Sequence, residues 1–244
     1  MENIKKRQSN PFPQDKIYFD EDTHTYFEKA TGQHLVSPTQ IIKEYSHPFD
    51  PTGEILKKCA ARKGISPAEL DAQWKKLGAD ARDKGHSIHF SFEHYIKKQE
   101  ILEDDNKDII LEFKEKVPVE GDLHPEVVLY DFNYGIAGRT DLIEIWWDNI
   151  ANIYDFKTNK KINTYSYGKK MFYPLDHVWD ASFYHYELQL SLYALMLEHQ
   201  GYCPRSLNLL WINPKRKIQI MPVKYRRGDV IKMLKDFGKR RNEQ

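Results

Sequence analysis

The hydrophobic pattern changes character near residue 118. Upstream it is mainly helical. Ser66-Pro67 is a clean helix start, with Ser66 as N-cap and Pro67 at the first helical position. That helix is predicted to run to about residue 98, past weak points at Gly78 and Gly85. A second helix is predicted over 105–116, ended by Pro118. Before them, 24–28 and 34–36 flank Thr31-Gly32 and read as a hairpin. Pro38 then opens a helix with Ser37 as its cap.

After Pro118 the chain turns rich in Val, Ile and aromatic residues. Segments 125–132, 136–147 and 152–156 are predicted as consecutive strands, with Asp148-Asn149 as a tight turn. A nearly all-apolar helix is predicted over 181–199, stopped by Gly201 and Pro204. Strands over 207–212 and 217–222 turn at Asn213-Pro214, and a basic helix over 229–241 follows. This order predicts an α/β (or α+β) fold, a mixed β-sheet flanked by helices. One domain is expected over 16–244, mainly helical to 118 and sheet-based from 119, with the polar residues 1–15 as a loose tail.

Composition narrows the class. A hydrophobic share of 40% and an aromatic share of 13% in 244 residues describe a globular chain able to bury a real core. The net charge of +1 neither suggests nor forbids nucleic acid, so the local distribution has to speak. Two distant cysteines, Cys59 and Cys203, exclude a disulfide framework and a four-cysteine metal site. No apolar run reaches the roughly 20 residues of a membrane span. The opening MENIKKRQSN resembles neither a secretory signal nor a good transit peptide, so a soluble, cytoplasmic protein is expected.

Chemistry concentrates in Gly138-Arg139-Thr140-Asp141-Leu142 and, fourteen residues after Asp141, in Asp155-Phe156-Lys157-Thr158. Asp155 and Lys157 are two apart, so a strand puts both on one face. If the strands are neighbours, Asp141 reaches the same end of the sheet. Carboxylates are hard oxygen ligands suited to Mg²⁺ or Mn²⁺. A lysine beside them can orient an attacking water and offset charge developing on a phosphate. This is the minimal equipment for hydrolysing a phosphodiester. On spacing alone, two aspartates and a lysine arise readily by chance as solvated residues. The apolar Ile153-Tyr154-Phe156 context argues against that, because a charged pair on such a strand needs a partner or a metal.

These residues resemble the PD-(D/E)xK nuclease superfamily, specifically its RecB-like exonuclease branch, with Thr140-Asp141 in place of the leading Pro-Asp. Gly85-His86-Ser87-Ile88-His89 resembles the branch's Gly-x-x-(Val/Ile)-His motif, and Gln189-Leu190-Ser191-Leu192-Tyr193 its Gln-x-x-x-Tyr motif. Ser37-Pro38-Thr39-Gln40-Ile41-Ile42 resembles a helix start of the phage and mitochondrial-genome-maintenance members, and Glu126 matches a frequent acidic position. The resemblance implies a restriction-endonuclease-like core. It implies His89, Asp141, Asp155 and the backbone carbonyl of Phe156 as ligands of Mg²⁺ or Mn²⁺. By the same resemblance, Lys157 positions or activates water, Arg139 contacts phosphate, Glu93 lines the active site one turn after His89, and Gln189 and Tyr193 support substrate or lysine. No cysteine set for an iron–sulfur clasp is present, and no Walker A pattern appears.

The implied partner is DNA, as single strands or ends, and the implied pathways are replication, recombination, repair or phage DNA metabolism. Between Asp155 and Asp176 there is no acidic residue, while Lys160, Lys161, Lys169 and Lys170 are interleaved with Tyr165 and Tyr167. Lysines match phosphates and tyrosine faces can stack on unpaired bases. The same stretch also reads as a solvated loop with tyrosines packed on the sheet. A structure-specific endonuclease with the same centre, or a non-catalytic DNA-binding subunit on a nuclease fold, are the alternative functions. A zinc hydrolase has no HExxH support.

Overall fold

A computed structural model describes residues 11–21, 23–48 and 53–243. The chain first forms a small antiparallel sheet from β1 (Ile17–Asp20), β2 (Thr25–Glu28) and β3 (His34–Leu35). The hairpin of β2 and β3 was expected. The strand β1 that pairs with β2 was not anticipated. Helix α1 (Pro38–Glu44) starts at a full capping box: Gln40 N–H donates to Ser37 Oγ and the Ser37 N–H donates to Gln40 Oε1.

Helix α2 (Glu54–Lys63) was not anticipated. Its apolar stripe is sparse, because Leu56 and Ala60 meet little besides Leu70 of the next helix. Gly64, in the left-handed region at φ 67, is the stop signal a closer reading offers. Helix α3 (Pro67–Lys98) runs unbroken for 32 residues through both glycines. The chain continues through α4 (Lys107–Lys116), β4 (Asp122–Asp131), β5 (Ile136–Ile145) and β6 (Ile150–Lys157). A single 3-10 turn at Trp147–Asn149 links the last two strands. Then come α5 (Ser182–His199), β7 (Cys203–Ile212), β8 (Ile218–Val223) and α6 (Arg227–Asn242).

The main sheet has the order β4-β5-β6-β7-β8 and is mixed. β6 and β7 pair in parallel, because α5 carries the chain back across one face; the other pairings are antiparallel. Two apolar layers sandwich this sheet. One joins Ile143, Ile153 and Leu209 to α1, α5 and α6. The other joins Leu142, Tyr154 and Phe156 to Ile88 and Phe92 of α3 and Phe113 of α4. This is the mixed sheet with flanking helices that the pattern predicted, a restriction-endonuclease-like core. Among the described residues no helix is long and apolar enough to cross a membrane.

Two features depart from the sequence reading. Residues 1–10 of the expected tail lie outside the described residues, but Phe12 is buried, with its ring centroid 5.0 Å from that of Tyr202 and 5.7 Å from that of His124. Packing therefore begins before residue 16, and two flanking prolines hid it. The second is a close approach at Gly138. A Cβ there would lie 2.8 Å from both Pro38 Cδ and Tyr193 Cε1. Glycine lets α1 and α5 sit down on β5, and this fixes the height of Tyr193. Gly138→Ala is expected to cost about 1–3 kcal/mol by forced displacement, read as a lower urea midpoint. A wild-type midpoint would contradict the packing described.

Candidate active site

The strand registers do the primary work. In the β4–β5 pair, Pro125 faces Leu142 and Val127 faces Thr140, so Glu126 and Asp141 share a level. In the β5–β6 pair, Leu142 faces Tyr154, and one step on Asp141 meets Asp155. Three carboxylates thus stand side by side on three neighbouring strands. Glu126 adopts φ 54, a left-handed conformation rare for a non-glycine residue within a strand. Such strain clusters where a side chain must be re-aimed.

Helix α3 brings His89 over this row. Its Nδ1 lies 3.5 Å from Asp141 Oδ1 and 3.6 Å from Glu126 Oε1. Those separations exceed good hydrogen bonds, so the three groups face a common gap. Their ligand atoms lie within 4.8 Å of one another, a set able to hold a metal ion. The residues fit the divalent cation that a centre of this type implies: two hard carboxylates and one imidazole converge on a gap that they do not close themselves. A buried oxygen, Asp155 Oδ2, adds to the fit. It makes no aligned hydrogen bond, although the Lys157 ammonium lies 2.6 Å away. The Lys157 ammonium compensates its charge, and a carboxylate oxygen beside a single cation keeps a second lone pair for another.

Each carboxylate is otherwise anchored. Asp141 Oδ2 accepts the Phe156 N–H at 2.6 Å. Glu126 Oε2 lies 2.7 Å from Arg139 Nε, and the Arg139 guanidinium rests 5.1 Å over the Phe19 ring. Asp155 Oδ1 accepts from Gln189 Nε2 at 3.4 Å. Tyr193 Oη accepts from the same amide at 3.3 Å and donates to the Arg139 carbonyl at 3.0 Å. The Lys157 ammonium also sits 4.7 Å over the Tyr186 ring.

The electrostatics follow. Burial pushes the Asp155 carboxyl up, against the pull of the Lys157 ammonium. Burial alone would lower Lys157, but the carboxylates of Asp155 and Asp141 outweigh it and hold it above its ordinary value. Burial also opposes the charge on His89, yet Asp141 and Glu126 overcome it and raise His89 to about 9. Burial raises the Tyr193 hydroxyl well above the usual range.

The structure brings together His89, Asp141, Asp155, Lys157, Gln189 and Tyr193 as the sequence suggested, and it redistributes two roles. Glu93 forms its ion pair with Lys97, one turn along α3, and stands outside the His89 group. Helical spacing puts it on the His89 face, but its carboxylate follows the neighbouring lysine. Glu126, singled out only by a weak match, fills that place. Arg139 is tied to Glu126 by its Nε rather than left free. Phe156 contributes its N–H to Asp141, and its ring stacks on Phe92 at 4.0 Å. Tyr186 was missed, although its spacing of three residues before Gln189 on a helix was available as a signal.

Beyond the centre, Lys160, Lys161, Lys169, Tyr165 and Tyr167 are exposed on the segment between β6 and α5. Lys170 is half-buried and donates to the His177 carbonyl at 3.2 Å. The reading of Tyr165 and Tyr167 as packed on the sheet does not hold.

A family model described as the PD-(D/E)XK nuclease superfamily matches residues 40–235. Among curated proteins, no relative matches the sequence. Among solved structures, the chain resembles SSO0001 at 16% identity and a TM-score of 0.40, with 82% of this chain and 73% of that one covered. It also resembles a candidate exonuclease from Eubacterium rectale at 13% identity and a TM-score of 0.41, with 84% and 79% covered. The match of the family model over most of its length places this chain in the PD-(D/E)XK nuclease superfamily.

Proposed function

We propose that this nuclease is a Mg²⁺- or Mn²⁺-dependent deoxyribonuclease that degrades DNA from an end. The observation that carries the reading is the row of Glu126, Asp141 and Asp155 beneath His89, with Lys157 two residues beyond Asp155 on the same strand. His89, Glu126 and Asp141 would hold a divalent ion, with Asp155 Oδ2 turned to the same centre. A cation bound there polarises a phosphoryl oxygen and lowers the pKa of a bound water.

The chain's own residues supply the rest. Lys157 is held as an ammonium by two carboxylates, so it acts as a cation that places the water and offsets charge on the phosphate, not as a proton acceptor. Gln189 fixes Asp155 Oδ1 and so leaves Oδ2 to the reacting side. Tyr193 holds the β5 backbone at Arg139 and so keeps Asp141 at the level of Asp155. Arg139 orients Glu126 through Nε and keeps its other N–H groups for a phosphate. The lysines after β6 supply further phosphate contacts. Action from an end rests on the resemblance to exonucleases of the RecB-like branch.

End-labelled linear DNA with Mg²⁺, Mn²⁺ or EDTA tests the activity. Metal-dependent degradation is expected, falling about 10²–10³-fold in Lys157→Ala, and closed circular single strands should survive. Intact linear DNA under every metal would overturn the catalytic reading, and cleavage of circles would replace exonuclease with endonuclease action. A second prediction uses the sign of the His89 shift. Its folded value of about 9 lies above the ordinary 6.5, so the metal-free protein carries the proton at pH 7. A histidine binds a metal only as the neutral imidazole, so binding releases that proton. Calorimetry of Mn²⁺ binding at pH 7 in buffers of different ionisation enthalpy should show close to one proton released, and none from this group in His89→Gln. Release unchanged by the substitution would remove His89 from the ligand set.

A further inference from the structure

The segment between β6 and α5 holds aromatic rings in solvent in a way that packing does not explain. Tyr165 is 60% exposed and Tyr167 is 91% exposed. Tyr167 adopts φ 53 and Gly168 follows at φ 83. A bulky residue rarely takes the left-handed conformation, and here no burial of the ring compensates it. Yet the segment is not loosely built. Ser166 Oγ donates to the Lys169 carbonyl at 2.5 Å, and Lys170 and Trp179 form an antiparallel bridge. Its far end is gripped at Asp180, whose carboxylate meets His47 Nδ1 at 2.8 Å and His185 Nε2 at 2.7 Å.

The rings form a row. Tyr167 and Tyr165 are 5.6 Å apart, Tyr165 and Trp179 are 6.0 Å apart, and the Lys170 ammonium lies 3.4 Å over the Trp179 ring. Lys160, Lys161 and Lys169 are exposed on the same segment, and no acidic residue occurs between Asp155 and Asp176. The exposed Tyr165 and Tyr167 rings beside the exposed Lys160, Lys161 and Lys169 match one kind of chain: an anionic backbone whose bases are free to stack. A duplex offers the phosphates but keeps its bases stacked inside. Tyr165 follows Lys157 by eight residues. It therefore lies at most about 28 Å away, roughly eight nucleotides at the stacked rise of 3.4 Å.

We propose that Tyr167 and Tyr165, backed by Trp179 and Lys170, form a stacking platform for unpaired bases, so that the protein takes DNA as a single strand leading to Asp155 and Lys157. The proposal deepens the nuclease reading above and rests on it for the direction of the strand. It carries a differential signature: removing rings weakens the hold on single strands and leaves duplex binding, made through lysines, unchanged.

The test is equilibrium binding by the full chain in EDTA, where no cleavage occurs. The probes are a labelled oligothymidine of about 20 nucleotides, longer than the span above, and a duplex of equal length capped by hairpins. Tyr165→Ala/Tyr167→Ala should weaken single-strand binding about tenfold or more. Tyr165→Phe/Tyr167→Phe should retain it, and duplex affinity should stay within about twofold. Both positions are exposed, so the fold is expected to survive, and unchanged thermal unfolding checks that. Equal losses on both probes, or no loss on the single strand, would overturn the platform. Cleavage with Mg²⁺ or Mn²⁺ is scored separately. A chain that cuts DNA without ring dependence loses the platform and keeps its nuclease assignment. A chain that binds through the rings and never cuts keeps the platform and loses the activity.

Discussion

Three carboxylates held at one level of a sheet are the constraint on which the rest of this structure depends. Glu126, Asp141 and Asp155 come from adjacent strands, and their mutual repulsion would force protonation or displacement if nothing answered it. The protein answers each in turn. Arg139 binds Glu126, the Phe156 N–H binds Asp141, and Lys157 and Gln189 bind Asp155. Asp141 and Glu126 together favour the protonated form of His89 between them. Those compensations leave one gap among His89, Glu126 and Asp141. Once His89 gives up its proton, three carboxylates face only two cations, Arg139 and Lys157, and the gap among His89, Glu126 and Asp141 could hold a divalent cation.

The architecture follows from holding the row still. Helix α3 reaches His89 by lying across the sheet, and the stacking of Phe92 on Phe156 locks helix and strand together one residue from Asp155 and three from His89. Helix α5 does the same from the other face. It carries the parallel crossover from β6 to β7, and its Gln189 and Tyr193 tie Asp155 to the β5 backbone. Gly138 permits that tie by admitting the Tyr193 ring where a Cβ would clash. The site is thus clamped between two helices, each bound to the sheet by apolar packing and each contributing polar groups to the row.

Much of this was legible in the sequence, for physical reasons. The strands and α5 are strongly apolar, so their pattern dominates local noise, and the spacing of Asp155 and Lys157 fixes a shared face once a strand is granted. The Ser37 cap and Ser66-Pro67 marked helix starts through hydrogen-bonding chemistry that belongs to those residues. What was not legible depended on distant partners. Whether Glu93 or Glu126 faces His89 is decided by Lys97 on one side and Arg139 on the other, and no local pattern reports that. The left-handed turn at Glu126 has no glycine or asparagine to announce it. Phe12 looked like part of a tail because its anchor, Tyr202, lies at the far end of the chain. Helix α2 buries too few side chains to imprint a stripe.

The central claim is that the gap beneath His89 is a metal centre, and anomalous diffraction from crystals soaked in Mn²⁺ tests it most directly. The account predicts a strong anomalous peak bounded by His89 Nδ1 and the carboxylates of Glu126 and Asp141, lost in crystals of Asp141→Asn. Well-ordered crystals with those side chains in place and no peak among them, or a peak that ignores that substitution, would contradict it.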